Sequence, residues 1–211
     1  MDTNQIDHIL TTTRAVRRRL DLTRPVAPEV VLECLQLAVQ APTAGNAQDW
    51  RWLVITEPEA RARLAALYRE VAALYLARAA AAAKDPQTAR VYDSALYLAE
   101  ILAQVPVFVI PCLDHRVDNA PHAQAAAAYG SIIPAAWSFL LALRSRGLGS
   151  VWTTLHLMRE KECAEILGIP PEVTQVALLP VAYTTGGDFK PATRPPITEI
   201  TYWNRWGRSS S

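Results

Sequence analysis

The chain has 211 residues, 51% of them hydrophobic and 19% charged, and a formal net charge of +1. That length suits a single domain over 1–211 with a sizeable core, and the near-neutral charge excludes an overall pull toward nucleic acid or a membrane surface. Cys34, Cys112 and Cys163 are odd in number and widely spaced, which argues against a disulfide framework and predicts a reducing, cytoplasmic setting.

The N-terminal MDTNQIDHILTTTR lacks the basic-then-apolar order of a signal peptide. Apolar residues Val30, Val31, Cys34, Leu35 and Ala38 predict a helix over 29–40, with Pro28 in its first turn and Pro42 as its stop. A short strand is expected at 52–56. A long Ala-rich helix follows over 59–84, with Leu64, Leu67, Val71, Leu74 and Tyr75 on one face. Asp85-Pro86 ends it, and another helix covers about 88–102. Residues 105–113 are apolar on both sides, which predicts a central strand.

Residues 125–143, AAAAYGSIIPAAWSFLLAL, contain no charge and approach the length that spans a bilayer. Alanine, glycine, serine and proline dilute the stretch, so a fully buried helix in the core or at a subunit interface is the better reading. It closes at Gly147. A strand is expected at 150–154, a helix at 159–167 with Gly168 as its stop, and a last core strand at 175–183. The remainder, rich in proline and glycine, predicts an extended tail that wraps, with disorder only at 209–211. Helices and strands mix without regular alternation, which predicts an α+β fold.

Four constellations carry possible chemistry. TTTRAVRRRLD concentrates Arg14, Arg17, Arg18 and Arg19; guanidinium forks match phosphate oxygens, and helical spacing would put Arg14 on a face with Arg17 or Arg18. No aromatic residues are interleaved, which disfavours nucleic acid. APTAGNAQDWRW sets small residues beside the amides of Asn46 and Gln48, a loop suited to lie against something flat with polar edges. GLGSVWTTLH turns into a segment ending in two threonines, and lacks the third glycine of a dinucleotide fingerprint. Lys190 and Arg194 stand four apart in DFKPATRPP. Cys112, Asp114 and His115 lie close but without paired metal-ligand spacing, and neither a zinc-protease helix motif nor a nucleophile elbow occurs. Side-chain chemistry is thus poorly supplied, and a borrowed cofactor would resolve that.

TRAVRRRLD, LQLAVQAPTAGNAQDWRWLVIT, RGLGSVWTT and DFKPATRPPITEITYWNRW follow one another in the order seen in the flavin-dependent nitroreductase family. The chain resembles that family over 13–206. The resemblance implies a central mixed or antiparallel sheet flanked by helices, with a C-terminal extension over 190–211 wrapping the partner subunit. It also implies a homodimer with FMN in the interface, NADH or NADPH as donor, and ping-pong, two-electron reduction of nitro groups, quinones or similar acceptors. Carried onto this sequence, it places Arg14 and Arg17 on the phosphate and ribityl chain, with Arg18 as the alternative register. Ala15 stands where the family usually has serine. Pro42, Thr43, Ala44, Asn46 and Gln48 would meet the flavin from the other subunit. Thr153, Thr154 and Leu155 would face flavin N5 with a backbone N–H, and Lys190 and Arg194 would reach the phosphate. Alternatives are a flavin-sequestering protein without turnover, or another reaction on this scaffold, such as flavin fragmentation, dehalogenation or alkene reduction.

Overall fold

The structure is a computed structural model and describes residues 2–208. Its elements in chain order are α1 (Thr3–Thr12), α2 (Pro28–Ala38), β1 (Trp50–Ile55), α3 (Pro58–Ala81), α4 (Pro86–Ile101), β2 (Val107–Leu113), α5 (His122–Ser145), β3 (Leu148–Gly149), α6 (Glu160–Leu167), β4 (Thr174–Gln175) and β5 (Leu179–Tyr183). The sheet runs β1-β2-β5-β3, with β4 also paired to β2, and every strand pairing is antiparallel.

β2 is the spine, and all seven of its residues are buried. Alternation divides them between the two faces. Phe108, Ile110 and Cys112 join the core under α3, α4 and α6, while Val107 and Val109 join the one beneath α2 and α5. The expected central strand is therefore present, sandwiched between two helical layers.

The last core segment is not one strand. β4 pairs Gln175 with Cys112, whereas β5 pairs Leu179 with Val109. Three steps along β2 thus face four along the other chain, a β-bulge. Pro111 sits at that place in β2 and has no N–H for the ladder, which locates the bulge there. Residues 150–154 also depart from the expected strand. Leu148 opposes Tyr183, and Thr153 opposes Leu178 in the same register, but the ladder between is interrupted. Pro180 lacks a donor on one side, and the Ser150 carbonyl instead accepts from Val16 N–H at 2.8 Å.

The helices show where composition alone misleads. The buried face of α3 carries Leu64, Ala65, Tyr68, Val71, Ala72 and Leu76, while Leu74 and Tyr75 are exposed. Alanine completes the stripe, so bulky residues are a poor guide to it. α5 is half buried in its most apolar window, not fully buried, and leaves Ile133 and Trp137 open. α1, which no strong periodicity announced, starts on an Asp2 cap that accepts from Asn4 N–H at 3.0 Å. Gly168 closes α6 at φ 65°, as its position predicted.

Candidate functional site

The arginine segment follows α1 as irregular chain with a bend at Arg17 and a turn at Arg18 and Arg19, not as helix, so the expected shared helical face does not form. The reason is the bond from Val16 N–H to Ser150, which draws the segment alongside β3. The approach is close. A Cβ on Gly149 would lie 3.0 Å from Val16 Cβ and 2.6 Å from Thr184 Cγ2, so only glycine fits there.

The bend and turn at Arg17–Arg19 send the guanidiniums to different partners. Arg18 pairs with Asp93 at 2.7 Å and lies over the Tyr97 ring. Arg19 donates to the carbonyls of Thr185 and Asp188 and covers Phe189. Arg17 is half-buried and donates to Ser94 Oγ at 3.2 Å. It has no carboxylate partner among the described residues, and burial pulls its pKa below the ordinary arginine value. Arg14 is half-buried beside Val16, Gly149 and Ser150 and has no hydrogen-bond or ion-pair partner among the described residues. Ala15 between them is exposed. Two cations thus remain on this side without an anion.

The 42–48 loop is held by few bonds and carries unusual backbone. Gly45, Asn46 and Gln48 have φ of 59°, 53° and 53°. Positive φ is ordinary for glycine and tolerated by asparagine, but costs glutamine strain. Ala44 N–H donates to Ser131 Oγ on α5 at 3.0 Å, and the Gln48 amide donates to Asn46 Oδ1 at 3.0 Å. Pro42 and residues 44–48 are exposed, and Thr43 is half-buried. Beyond the loop, Asp49, Asp114 and His115 bring their ligand atoms within 4.8 Å of one another. Arg51 pairs with Asp114 at 2.5 Å, which neutralises part of that cluster.

The third constellation follows the interrupted ladder. Thr153 N–H donates to Leu178 and its carbonyl accepts from Leu178, so its backbone is satisfied. Its hydroxyl meets the phenol of buried Tyr68 at 2.8 Å. The N–H groups of Thr154 and Leu155 form no hydrogen bond among the described residues, which makes them, rather than that of Thr153, the donors free for a ligand. A 3-10 turn over Leu155–Arg159 then buries His156 at 1% exposure. Neither ring nitrogen has a partner among the described residues, and burial pushes the imidazole pKa down to about 4. An open groove of about 710 Å³ runs along α3 beside this turn, walled by Val71, Leu74, Tyr75 and Met158, with Arg78 exposed at its rim.

Lys190 and Arg194 lie exposed in a tail without regular structure apart from a 3-10 turn at Ile197–Glu199. Among the described residues Arg194 bonds only the neighbouring Thr193 carbonyl, and no bond ties either cation to Arg14, Arg17 or the 42–48 loop. Tyr68 thus joins α3 to Thr153, Arg17 bonds Ser94 on α4, and Arg14 lies beside Ser150. No hydrogen bond among the described residues links the loop or tail residues to them. The sequence motifs mark neither Tyr68 nor His156 as a binding residue. For Tyr68 the signal was its place four residues after Leu64 and before Ala72, on the buried stripe.

Free guanidiniums, unused N–H donors and an exposed amide loop suit a phosphate-bearing ligand with a flat, polar-edged ring. Residues 10–183 match the Nitroreductase family, and the chain belongs to it. A protein of Archaeoglobus fulgidus provisionally named NADH dehydrogenase/NAD(P)H nitroreductase is 23% identical over 174 residues, covering 82% of this chain and 81% of its own. The fold matches a nitroreductase-like family protein of Bacillus cereus with a TM-score of 0.67 at 20% identity, covering 94% of this chain and 95% of that one. It also matches an oxidised iodotyrosine deiodinase bound to FMN and 3-iodo-L-tyrosine, with a TM-score of 0.70 at 21% identity, over 96% and 98% of the two chains.

Proposed function

We propose that this nitroreductase-family protein is an FMN-dependent, NAD(P)H-linked oxidoreductase that reduces nitroaromatics, quinones or similar small acceptors. The observation that carries the reading is Arg14, half-buried beside Ser150 with no anionic partner among the described residues. A guanidinium in that setting gains a charge-assisted, bidentate partner when a phosphate arrives. Arg17, with one neutral partner, adds a second cation.

FMN, when bound, would supply the redox chemistry by taking up and returning a hydride equivalent. The protein's share is binding, orientation and electrostatics. Thr154 and Leu155 would donate N–H to the ring edge, and the small exposed loop with Asn46 and Gln48 would lie against it. No side chain need act as an obligatory acid or base.

We further propose a cytoplasmic homodimer of single-domain chains. Leu32 and Leu37 on α2, and Ile133 and Trp137 on α5, are large apolar side chains left exposed. The tail adds Ile197, Ile200, Trp203 and Trp206, the last 92% exposed. A partner subunit covering that surface would bring its loop and tail cations, Lys190 and Arg194, to the Arg14 side.

The experiment is direct. Purified protein titrated with FMN, then assayed for NADH and NADPH oxidation with nitroaromatic and quinone acceptors, should turn over with parallel double-reciprocal lines. Bound FMN without turnover on either nicotinamide would favour a flavin store.

A further inference from the structure

We infer that Tyr68 is a positioning residue, which acts through the Thr153 hydroxyl to turn the 153–155 segment into a row of hydrogen-bond donors facing the cofactor. The inference rests on the FMN reading above and assigns a role to a helix-core tyrosine.

Three observations carry it. Tyr68 is 1% exposed on α3, and its hydroxyl has one partner among the described residues, Thr153 Oγ1 at 2.8 Å. Thr153 is otherwise fixed, since its N–H and carbonyl are both bonded to Leu178. A hydroxyl has one proton to give, and the direction of this contact decides where each proton goes. A phenol is a far stronger acid than the aliphatic alcohol of threonine, so the Tyr68 O–H is the better donor of the two. Tyr68 then donates, Thr153 accepts, and the Thr153 proton is left to point elsewhere.

The next two N–H groups, of Thr154 and Leu155, have no partner among the described residues. With the Thr153 hydroxyl, they make three donors in consecutive residues. Preorganised donors favour whichever state of a ligand carries more negative charge, and they do so without reorganising. Reduced flavin is the more electron-rich state, so the row should bind it in preference to oxidised FMN. A tyrosine that served only to fill the core would affect both states alike.

The test uses Tyr68→Phe, Thr153→Ala, the double variant and Thr153→Ser in the intact FMN-loaded protein. The readouts are dissociation constants for oxidised FMN, from flavin fluorescence, and two-electron midpoint potentials. Tyr68→Phe and Thr153→Ala should each lower the preference for reduced over oxidised FMN by roughly tenfold, a fall of about 30 mV in potential. The double variant should fall no further, because both changes remove one oriented proton, and Thr153→Ser should retain the wild-type potential. An unmoved potential in both single variants overturns the assignment, as does an additive double variant or equal weakening of both redox states. Wild-type protein that takes up no FMN would overturn the cofactor reading together with this one. Uptake with unmoved potentials would overturn only the role of Tyr68. If Tyr68→Phe does not fold, Thr153→Ala against Thr153→Ser decides the matter.

Discussion

Gly149 and Thr184 approach so closely that a Cβ on the glycine would stand 2.6 Å from Thr184 Cγ2. The contact seats Val16, and with it Arg14 and Arg17, against the end of the sheet. Gly149→Ala should push the arginine segment outward. Overpacking of this kind costs about 1–3 kcal/mol, or roughly 3–10 °C in melting temperature for a chain of this size. FMN affinity should fall as well, because both cations shift. A variant with wild-type melting temperature and wild-type affinity would show that the segment seats without this contact.

Arg14→Ala and Arg194→Ala should each weaken FMN retention by about tenfold to a hundredfold, the loss of one charged hydrogen bond to phosphate at roughly 1.5–3 kcal/mol. Neither residue pairs with an acid among the described residues, so the fold should survive. Lysine at either place should restore binding only in part, since the fork is lost. Arg18→Ala is the contrast, because its pair with Asp93 is exposed on both sides and worth about 1 kcal/mol or less. Equilibrium dialysis of FMN separates these cases, and an Arg18 effect larger than that of Arg14 would reverse the proposed register.

His156 predicts a pH dependence of stability. Its pKa falls from an ordinary 6.5 to about 4 in the folded chain. Between those values the unfolded chain binds a proton that the folded chain refuses, so stability is full above about pH 6.5 and declines as the pH drops toward 4. The contribution amounts to about 3 kcal/mol across that window. Urea unfolding of wild type and His156→Leu at pH 7 and pH 4.5 checks this, and the variant should show the shallower decline. Parallel losses in both would assign the effect to other groups.

The exposed apolar residues of α2 and α5 predict that charges placed there break the assembly. Leu32→Asp with Ile133→Asp replaces two exposed apolar residues, at 61% and 43% exposure, so the subunit core is untouched. Light scattering at low micromolar concentration should give a dimer for wild type and a monomer for the variant. Wild type running as a monomer with a cooperative melt would exclude the dimer.

Ala15 is exposed between the two cations. Ala15→Ser should tighten FMN by about 0.5–1.5 kcal/mol through one added hydrogen bond and leave turnover nearly unchanged. A change in turnover without one in affinity would place residue 15 nearer the reacting atoms than proposed.

Local pattern alone determined much of this protein. The apolar run around Val107–Leu113 required burial on both faces, and β2 has it. Periodicity and proline marked α2, and Gly168 closed α6 at positive φ. Those signals lie within one turn or one strand, where sterics and side-chain period act on near neighbours. Tertiary structure decided the rest. Consecutive arginines found Ser94 and Asp93 on α4 or carbonyls at 185 and 188, from a bend and turn that follow the Val16–Ser150 bond. Tyr68 met Thr153 at 85 residues' separation, and Pro111 lay opposite the bulge before β5 only once the register was set. His156 lost its water because the 3-10 turn after Thr154 folded inward. Hydrogen-bond partners and desolvation are properties of what surrounds a group in space, and in a chain with interrupted ladders that neighbourhood follows from packing rather than from sequence order.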